Sequence, residues 1–408
     1  MIPRILSFNS QSDLIRQLRE IKVDEYGIKI MSPKAESFLV KISKIPSISA
    51  NILKQEMLSL GGDAAISRDS ITGRDKQTSC LLMGNFIQLS RLIDKLRLQP
   101  FKLDGIGRSL EKTISNYRKN TFLIKCRNFV LDTAKKTLIM GIINVTPDSF
   151  SGDGLLKQDK TAAGSYVKLD KAVLQMAGQM LKQGADIIDV GAESSRPGAK
   201  PVAEKEEIKR VSSSIKALVK EFRVPVSADT YKPNVARVAL DSGASIVNDI
   251  TGLRESRMRK IISEYKAGVV IMHMKGTPRT MQRNPRYKSL IDEVVSFLAN
   301  SIDMAIKDGI SPESIIIDPG IGFGKTVEHN LEILKNLKEL KVLGRPVLLG
   351  VSRKSFIGKI LNTEPGNRVF GTAAAVSMAI KDGANILRVH DVEEVSQVVK
   401  ICNAIINN

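Results

Sequence analysis

The sequence predicts a closed (β/α)8 barrel of the TIM type over residues 136–408, preceded by a small N-terminal α/β region over residues 1–130. Three observations carry this expectation. From residue 136 onward, short β-branched runs alternate with helical stretches of roughly ten to fifteen residues, the signature of βα units. Eight such runs fit into about 270 residues, the number of strands that closes a barrel. Polar side chains then collect at the carboxyl end of nearly every run. An open, doubly wound sheet would instead carry a G-x-G-x-x-G turn after its first strand, and that turn is missing.

Composition agrees with a parallel core. The 408 residues are 42% hydrophobic but only 4% aromatic, with no Trp, so the interior is built from Val, Ile and Leu. The net charge of +19 favours anionic partners in general. It is spread along the chain without a block of like charges or interleaved aromatics, so nucleic-acid binding is not expected. Cys80, Cys126 and Cys402 are far apart and odd in number, which fits a reducing compartment and neither a disulfide framework nor a zinc site. No apolar run approaches the length of a membrane span, and the first residues lack a signal-like apolar core. The expected location is cytoplasmic, without a membrane partner.

In the N-terminal region, helical spacing predicts helices over 12–21, 49–60, 86–98 and 107–120. The second stops at Gly61-Gly62, and a short strand is expected at Cys80–Met83. No catalytic constellation appears there; packing or oligomerisation is the expected role.

The barrel strands are predicted over 137–145, 185–191, 224–229, 245–250, 269–274, 315–318, 346–351 and 386–389. Helices are expected between them over 168–183, 233–242, 290–307, 331–340 and 372–381. Gly184, Gly243 and Gly383 each precede an Ala that starts the next strand, as left-handed helix caps do.

The strand ends hold the chemistry. The first ends in Asn144 and runs into Pro147, Asp148 and Phe150. The second ends in Asp189 and continues through Glu193, Ser195, Arg196 and Pro197. The third ends in Asp229, the fourth in Asn248-Asp249, and the fifth carries His273. The sixth ends in Asp318 and a glycine-rich turn through Phe323 to Lys325. The seventh ends in Ser352-Arg353-Lys354-Ser355 and the eighth in Arg388-Val389-His390. A barrel with only a structural role has no use for this, because buried polar groups are costly unless paired. Asp229, Asn248, Asp318 and Lys354 could line a deep pocket with two acceptors, an amide and a cation, suited to a flat heterocycle rich in hydrogen-bonding groups. Arg388 and His390, two apart on a strand, point the same way and with Asn144 make an anion site. The 320–325 turn lacks Walker spacing. His273 and His329 have no second His or Cys spaced for a metal and are read as structural.

These segments together resemble the dihydropteroate synthase family of pterin-binding barrel enzymes. The resemblance rests on Ile143-Asn-Val-Thr-Pro-Asp-Ser-Phe150, Glu193-Ser-Ser-Arg-Pro-Gly198, Val226-Ser-Ala-Asp-Thr230 and Val247-Asn-Asp-Ile250. It continues in Asp318-Pro-Gly-Ile-Gly-Phe-Gly-Lys325, Ser352-Arg-Lys-Ser355 and Arg388-Val-His-Asp391. It covers about two-thirds of the chain, from 136 to 406, and leaves the N-terminal third outside.

The resemblance implies a transferase of folate biosynthesis. Its reaction joins 4-aminobenzoate to 7,8-dihydro-6-hydroxymethylpterin diphosphate, with loss of pyrophosphate, by a dissociative route that needs Mg2+. It implies that Asn144, Arg388 and His390 hold the diphosphate, with Asn144 at the Mg2+. Asp229, Asn248, Asp318 and Lys354 hold the pterin, and Ser355 meets the aminobenzoate carboxylate. Phe150, Pro197 and Phe323 wall its ring, Ser195 and Arg196 belong to a loop over the site, and Asp148 organises the first loop. Lys354, Arg388, His390 and Asp148 are the implied catalytic set, and a homodimer is the implied assembly. Two departures stand out: Ser195 where many members carry Thr, and Ser-Gly-Asp-Gly after Phe150 where Ser-Asp-Gly-Gly is usual. The alternative is a pterin-dependent methyltransferase of the same barrel family, which shares the pterin pocket but binds no diphosphate.

Overall fold

The computed structural model describes residues 2–8, 11–72, 74–145, 162–194 and 202–407. The chain forms two compact units, Met1–Ser115 and Asn116–Asn408.

The N-terminal unit holds α1 (Gln11–Glu20), α2 (Glu25–Ala35), β1 (Ser37–Pro46), α3 (Ser47–Ser59), β2 (Asp63–Ile66), α4 (Arg68–Ile71), β3 (Gln77–Asn85) and α5 (Phe86–Arg97). The chain leaves it within α6 (Leu103–Arg118). The strands form an antiparallel sheet in the order β1-β3-β2. Leu53, Met57, Leu82, Leu89, Leu92 and Leu96 are fully buried between sheet and helices. Asn85 starts α5 with a capping box: its Oδ1 accepts the Gln88 amide at 3.0 Å, and Gln88 Oε1 accepts the Asn85 amide at 2.8 Å. The expected single strand at 80–83 is therefore the middle of a longer one, with two partners that the sequence reading lacked. β1 alternates Phe38, Val40 and Ile42 with Leu39, Lys41 and Ser43, so only one side shows a clean apolar pattern. β2 has just four residues.

The second unit begins with the hairpin β4 (Leu123–Cys126) and β5 (Phe129–Asp132). Then come β6 (Leu138–Asn144), α7 (Ala162–Gln183), β7 (Ile187–Gly191), α8 (Glu204–Glu221), β8 (Val226–Asp229), α9 (Pro233–Asp241), β9 (Ile246–Asp249), α10 (Ser256–Glu264) and β10 (Gly268–Met272). It continues with α11 (Leu290–Lys307), β11 (Ile315–Asp318), α12 (Val327–Lys335), β12 (Val347–Leu349), α13 (Ser355–Leu361), α14 (Val369–Lys381), β13 (Ala384–Val389) and α15 (Val392–Asn407). β6 to β13 are parallel and close into an eight-stranded barrel, with β13 hydrogen-bonded back to β6. The strands are buried on both sides, so they read as largely apolar runs, interrupted by Asp189, Ser227, Asn385 and Arg388. Outward residues such as Ile139, Val190, Val247, Ile271 and Leu349 pack against the helices.

The inward residues at the amino ends of seven strands are apolar (Leu138, Met140, Ile187, Ile246, Val270, Ile316, Leu348 and Ile386), while β8 places buried Ser227 level with Ile246. Ile124, Cys126 and Leu131 of the hairpin join this cluster and plug the barrel floor. A Cβ on Gly268 would lie 2.6 Å from Cys126 Sγ, so the strand beside the plug begins with glycine. Arg127 ties the hairpin down by donating to the carbonyls of Leu240 and Ala244 at 2.7 and 2.8 Å. The domain boundary drawn at residue 130 is thus corrected: residues 116–132 belong with the barrel.

The helix expected over 331–340 is also revised. α12 starts earlier, where Thr326 Oγ1 accepts the His329 amide and His329 Nδ1 accepts the Thr326 amide, both at 3.2 Å. It ends at Lys335, and a 3-10 turn covers Leu337–Leu343.

Candidate active site

The carboxyl ends of the barrel strands bring the polar residues to one end of the interior. Asn144, Gly191, Asp229 and Asn248 form a row, each in register with the next across β6, β7, β8 and β9. Gly191 keeps the row open: a Cβ there would sit 3.4 Å from Asp229 Cβ and 3.7 Å from Asn144 Oδ1. Asn248 is buried, and its carbonyl accepts the Thr230 amide at 3.1 Å.

Arg388 reaches across this row. Its Nε donates to Asp189 Oδ2 at 2.7 Å and its Nη2 to Asp229 Oδ2 at 2.6 Å. Burial opposes the guanidinium charge, but the two carboxylates outweigh it and hold the Arg388 pKa above its usual value. Burial pushes Asp229 up to about 7; the Arg388 charge lowers it and the Asp189 charge raises it. Asp189 is fully buried, and its Oδ1 has no hydrogen-bond partner among the described residues.

On the facing wall, Asp318 is buried and accepts the Gly320 amide at 2.7 Å. Burial raises its pKa, opposed by that amide and by Lys354, Lys325 and Arg388. Gly320 has φ +70°, and a Cβ there would lie 1.9 Å from the His273 carbonyl oxygen, so only glycine makes this turn. The turn sets Phe323, whose ring lies 4.3 Å from Lys354 Nζ in a cation–π contact. His390 is held by Ser352, whose Oγ accepts the His390 amide and lies 3.2 Å from Nδ1. Burial and the charges of Arg388 and Arg353 lower the ring pKa to about 3, so His390 is neutral at ordinary pH.

Most of the residues singled out from sequence therefore meet at one barrel end: Asn144, Asp229, Asn248, Asp318, Phe323, Lys354, Arg388 and His390. Ser355 is exposed at the first position of α13, next to Lys354 in the chain. Asp148, Phe150, Ser195, Arg196 and Pro197 lie outside the described residues. His273 and His329 are structural. The first is buried with its ring edge-on to Phe297, and the second caps its helix.

Three relationships escaped the sequence reading, although Asp189, Glu193 and Lys325 stand in it among the strand ends and their loops. Asp189 is the main anchor of Arg388; its signal was a lone charge inside an apolar strand, Ile-Ile-Asp-Val. Lys325 is buried, its Nζ 2.9 Å from His273 Nδ1 and 3.0 Å from the Phe323 carbonyl. The third is an ionic cluster at the two ends of the second loop. Lys232 Nζ there meets Glu193 Oε2 at 2.5 Å, Glu207 Oε2 at 2.6 Å and the Val202 carbonyl at 2.9 Å.

The pterin binding enzyme family matches residues 140–390, which include every strand-end residue described above, from Asn144 to His390. A dihydropteroate synthase from Synechocystis is 46% identical over 68% of this chain and 92% of its own length. The chain belongs to the dihydropteroate synthase family. A solved dihydropteroate synthase from Xanthomonas albilineans, in complex with 4-aminobenzoic acid, superposes with a TM-score of 0.63 at 37% identity, covering 70% of this chain and 98% of that one. A Haloferax volcanii protein, named a probable bifunctional folylpolyglutamate synthase/dihydropteroate synthase, is 36% identical over 86% of this chain and 41% of its own length. That match is longer than this chain's barrel unit, so it extends into the N-terminal unit.

Proposed function

We propose that the barrel catalyses dihydropteroate synthesis: 4-aminobenzoate displaces pyrophosphate from 7,8-dihydro-6-hydroxymethylpterin diphosphate. The observation that carries the reading is the ring of Asp229, Asn248, Asp318 and Lys354 around one end of a family barrel. Carboxylates accept from the ring N–H and amino groups of a pterin, the Asn248 amide can do both, and Lys354 donates.

The chemistry needs no strong nucleophile from the protein. The C–O bond to the diphosphate breaks, leaving a pterin-methyl cation. The arylamine nitrogen then forms the new C–N bond and loses a proton. What the protein supplies is fixed charge aimed at the groups that change. Arg388 and neutral His390 are assigned to the diphosphate, with Asn144 beside them. Asp189 and Asp229 orient Arg388. Phe323 and exposed Ser355 are assigned to the aminobenzoate, together with Phe150, Ser195, Arg196 and Pro197. Asp148 is assigned to the first loop.

Mg2+ fits this donor set as a companion of the diphosphate. Among the described residues no group of three His, Cys, Asp or Glu could hold a metal unaided. Asn144 offers one hard amide oxygen beside the space kept open by Gly191, and Asp189 has a buried oxygen without a described partner. Such a cation would take the rest of its shell from phosphate oxygens and water. When bound, it would neutralise charge on the departing pyrophosphate.

A homodimer is part of the same reading. Phe370 and Met378 on α14, and Ile401 and Ile405 on α15, leave large apolar side chains exposed on two adjacent helices, where a second copy could cover them. Light scattering at micromolar concentration should give twice the chain mass; a monomer would remove this part. Among the described residues no helix is long and apolar enough to cross a membrane; a cytoplasmic site of action is part of the same proposal. For the N-terminal unit we propose a stabilising role.

The reading is tested by measuring pyrophosphate release from the dihydropterin diphosphate with and without 4-aminobenzoate and Mg2+. Release that depends on both is expected. No release from folded protein would overturn it.

A further inference from the structure

Gly322 stands in the turn between β11 and α12, where two side chains from separate elements grip it. Its N–H donates to Asn330 Oδ1 on α12 at 2.8 Å, and its carbonyl accepts from Gln282 Nε2, in the loop after β10, at 2.7 Å. Asn330 is 3% exposed. A buried carboxamide must satisfy both of its ends, since an unmet polar group is costly there. Its Nδ2 donates to the Thr326 carbonyl at 2.7 Å, which leaves Oδ1 to face the turn. Thr326 is the N-cap of α12, so this side of the grip is built on the first turn of a capped helix. The loop after β10 holds the turn a second time, where the Tyr287 hydroxyl donates to the Gly324 carbonyl at 2.8 Å.

Lys354 rests on Gly322. A Cβ on Gly322 would lie 3.3 Å from Lys354 Cδ and 3.7 Å from its Nζ, so the stem of the lysine runs against the bare α-carbon. The next residue, Phe323, sets its ring against the same ammonium. Gly322 has φ +82° and no side chain to brace it, so its place is set by what holds its N–H and its carbonyl. A lysine carries its charge on a flexible four-carbon stem, and ordering that stem costs affinity unless it is already supported. Neither Asn330 nor Gln282 is among the residues assigned to a substrate.

We propose that Asn330 and Gln282 are positioning residues for pterin recognition, clamping Gly322 from two sides so that the stem of Lys354 has a fixed seat. This rests on the pterin reading of the site and deepens it, by naming side chains that act through the turn.

The test is the affinity of the full chain for 6-hydroxymethylpterin, read from the fluorescence of the pterin, beside a thermal melt. Asn330→Ala and Gln282→Ala should each weaken binding about three- to tenfold, the scale of one hydrogen bond. Gln282 is exposed, so its variant should melt as wild type does. The double variant should bind little worse than the weaker single one, because both hydrogen bonds fix the same residue and such losses do not add. Gly322→Ala should weaken binding at least as much, since its Cβ meets the lysine stem. Lower melting temperatures with unchanged affinity would show a merely structural role and overturn the proposal. So would a double variant whose loss equals the product of the single losses. If the buried variants are unfolded by circular dichroism, Gln282→Ala decides alone: weaker binding at an unchanged melting temperature upholds the clamp, and wild-type affinity overturns it. If wild type itself does not bind the pterin, the pterin reading fails and the proposal with it. If wild type binds and the variants bind equally well, only the proposal falls.

Discussion

Arg388 on β13 donates its Nε–H to Asp189 Oδ2 on β7 at 2.7 Å, skipping the strand that lies between them in the barrel. Inward side chains of alternate strands meet in this way in a (β/α)8 interior. Asp189 is fully buried, so the pair is shielded from water and the bond sets where the guanidinium lies. Asp189→Asn keeps the shape but removes the charge. Its kcat/KM should fall about 100-fold, about 2.7 kcal/mol of transition-state stabilisation. Arg388→Ala and Lys354→Ala should each abolish turnover with the fold intact. Steady-state kinetics beside a thermal melt checks all three; near-normal turnover in any one would remove its assignment.

The Asp229 carboxyl, raised to about 7 by burial, gives pterin binding a pH dependence. An acceptor must be ionised, so affinity should decline as pH falls below about 7. The effect on stability has the opposite sign. A carboxyl whose folded pKa lies above its unfolded value loses stability as pH rises through the folded one. Binding titrations from pH 5 to 8 should show this acid limb in wild type. Asp229→Asn should bind more weakly and lose that limb; a limb that stays in place would assign it to another group.

Lys232 holds two carboxylates, of which Glu207 is almost wholly buried. Burial raises the Glu207 pKa, and the hydrogen bonds from Lys232 and Thr230 oppose it. Lys232→Met leaves that charge without its cation, a loss of roughly 3–5 kcal/mol for a buried pair. It also raises Glu207 further. Stability of the variant should therefore be best at low pH and decline as pH rises through the new Glu207 value. Urea unfolding at pH 5 and pH 8 measures this. Equal losses at both pH values would show that Glu207 is not the group left exposed to the change.

The barrel and its strand ends were legible because two signals coincide there. Strands buried on both sides read as largely apolar runs, and in or just after the carboxyl end of each stands a polar residue that an interior would not otherwise keep. Which of those polar residues meet was not legible. Arg388 and Asp189 are 199 positions apart, and only closure of the barrel makes them neighbours. Reading Arg388 as part of an anion site missed that carboxylates hold it. Lys325 escaped for a different reason: a lysine after a glycine-rich turn looks like a solvated loop charge until the turn folds it inward. The hairpin at 123–132 was hidden by its length, since two four-residue strands carry too few residues to show which core they serve.

That hairpin gives a sharp test of where the catalytic unit starts. Ile124 and Cys126 are fully buried among the inward residues of β6, β7, β9, β10, β11, β12 and β13. Removing them would expose the barrel floor to water at about 25 cal/mol per Å2 of apolar surface. It would also free the Leu240 and Ala244 carbonyls that Arg127 satisfies. Asn116 adds a further tie, donating Nδ2 to the Val342 carbonyl at 2.8 Å. A chain beginning at Asn116 should therefore fold and release pyrophosphate, with some loss of stability, if residues 1–115 only stabilise. A chain beginning at Lys136 should fail to fold. Expression of both, with circular dichroism and the pyrophosphate assay, separates the possibilities. A folded but inactive chain from Asn116 would give the N-terminal unit a part in catalysis, and a folded, active chain from Lys136 would show that the plug is dispensable.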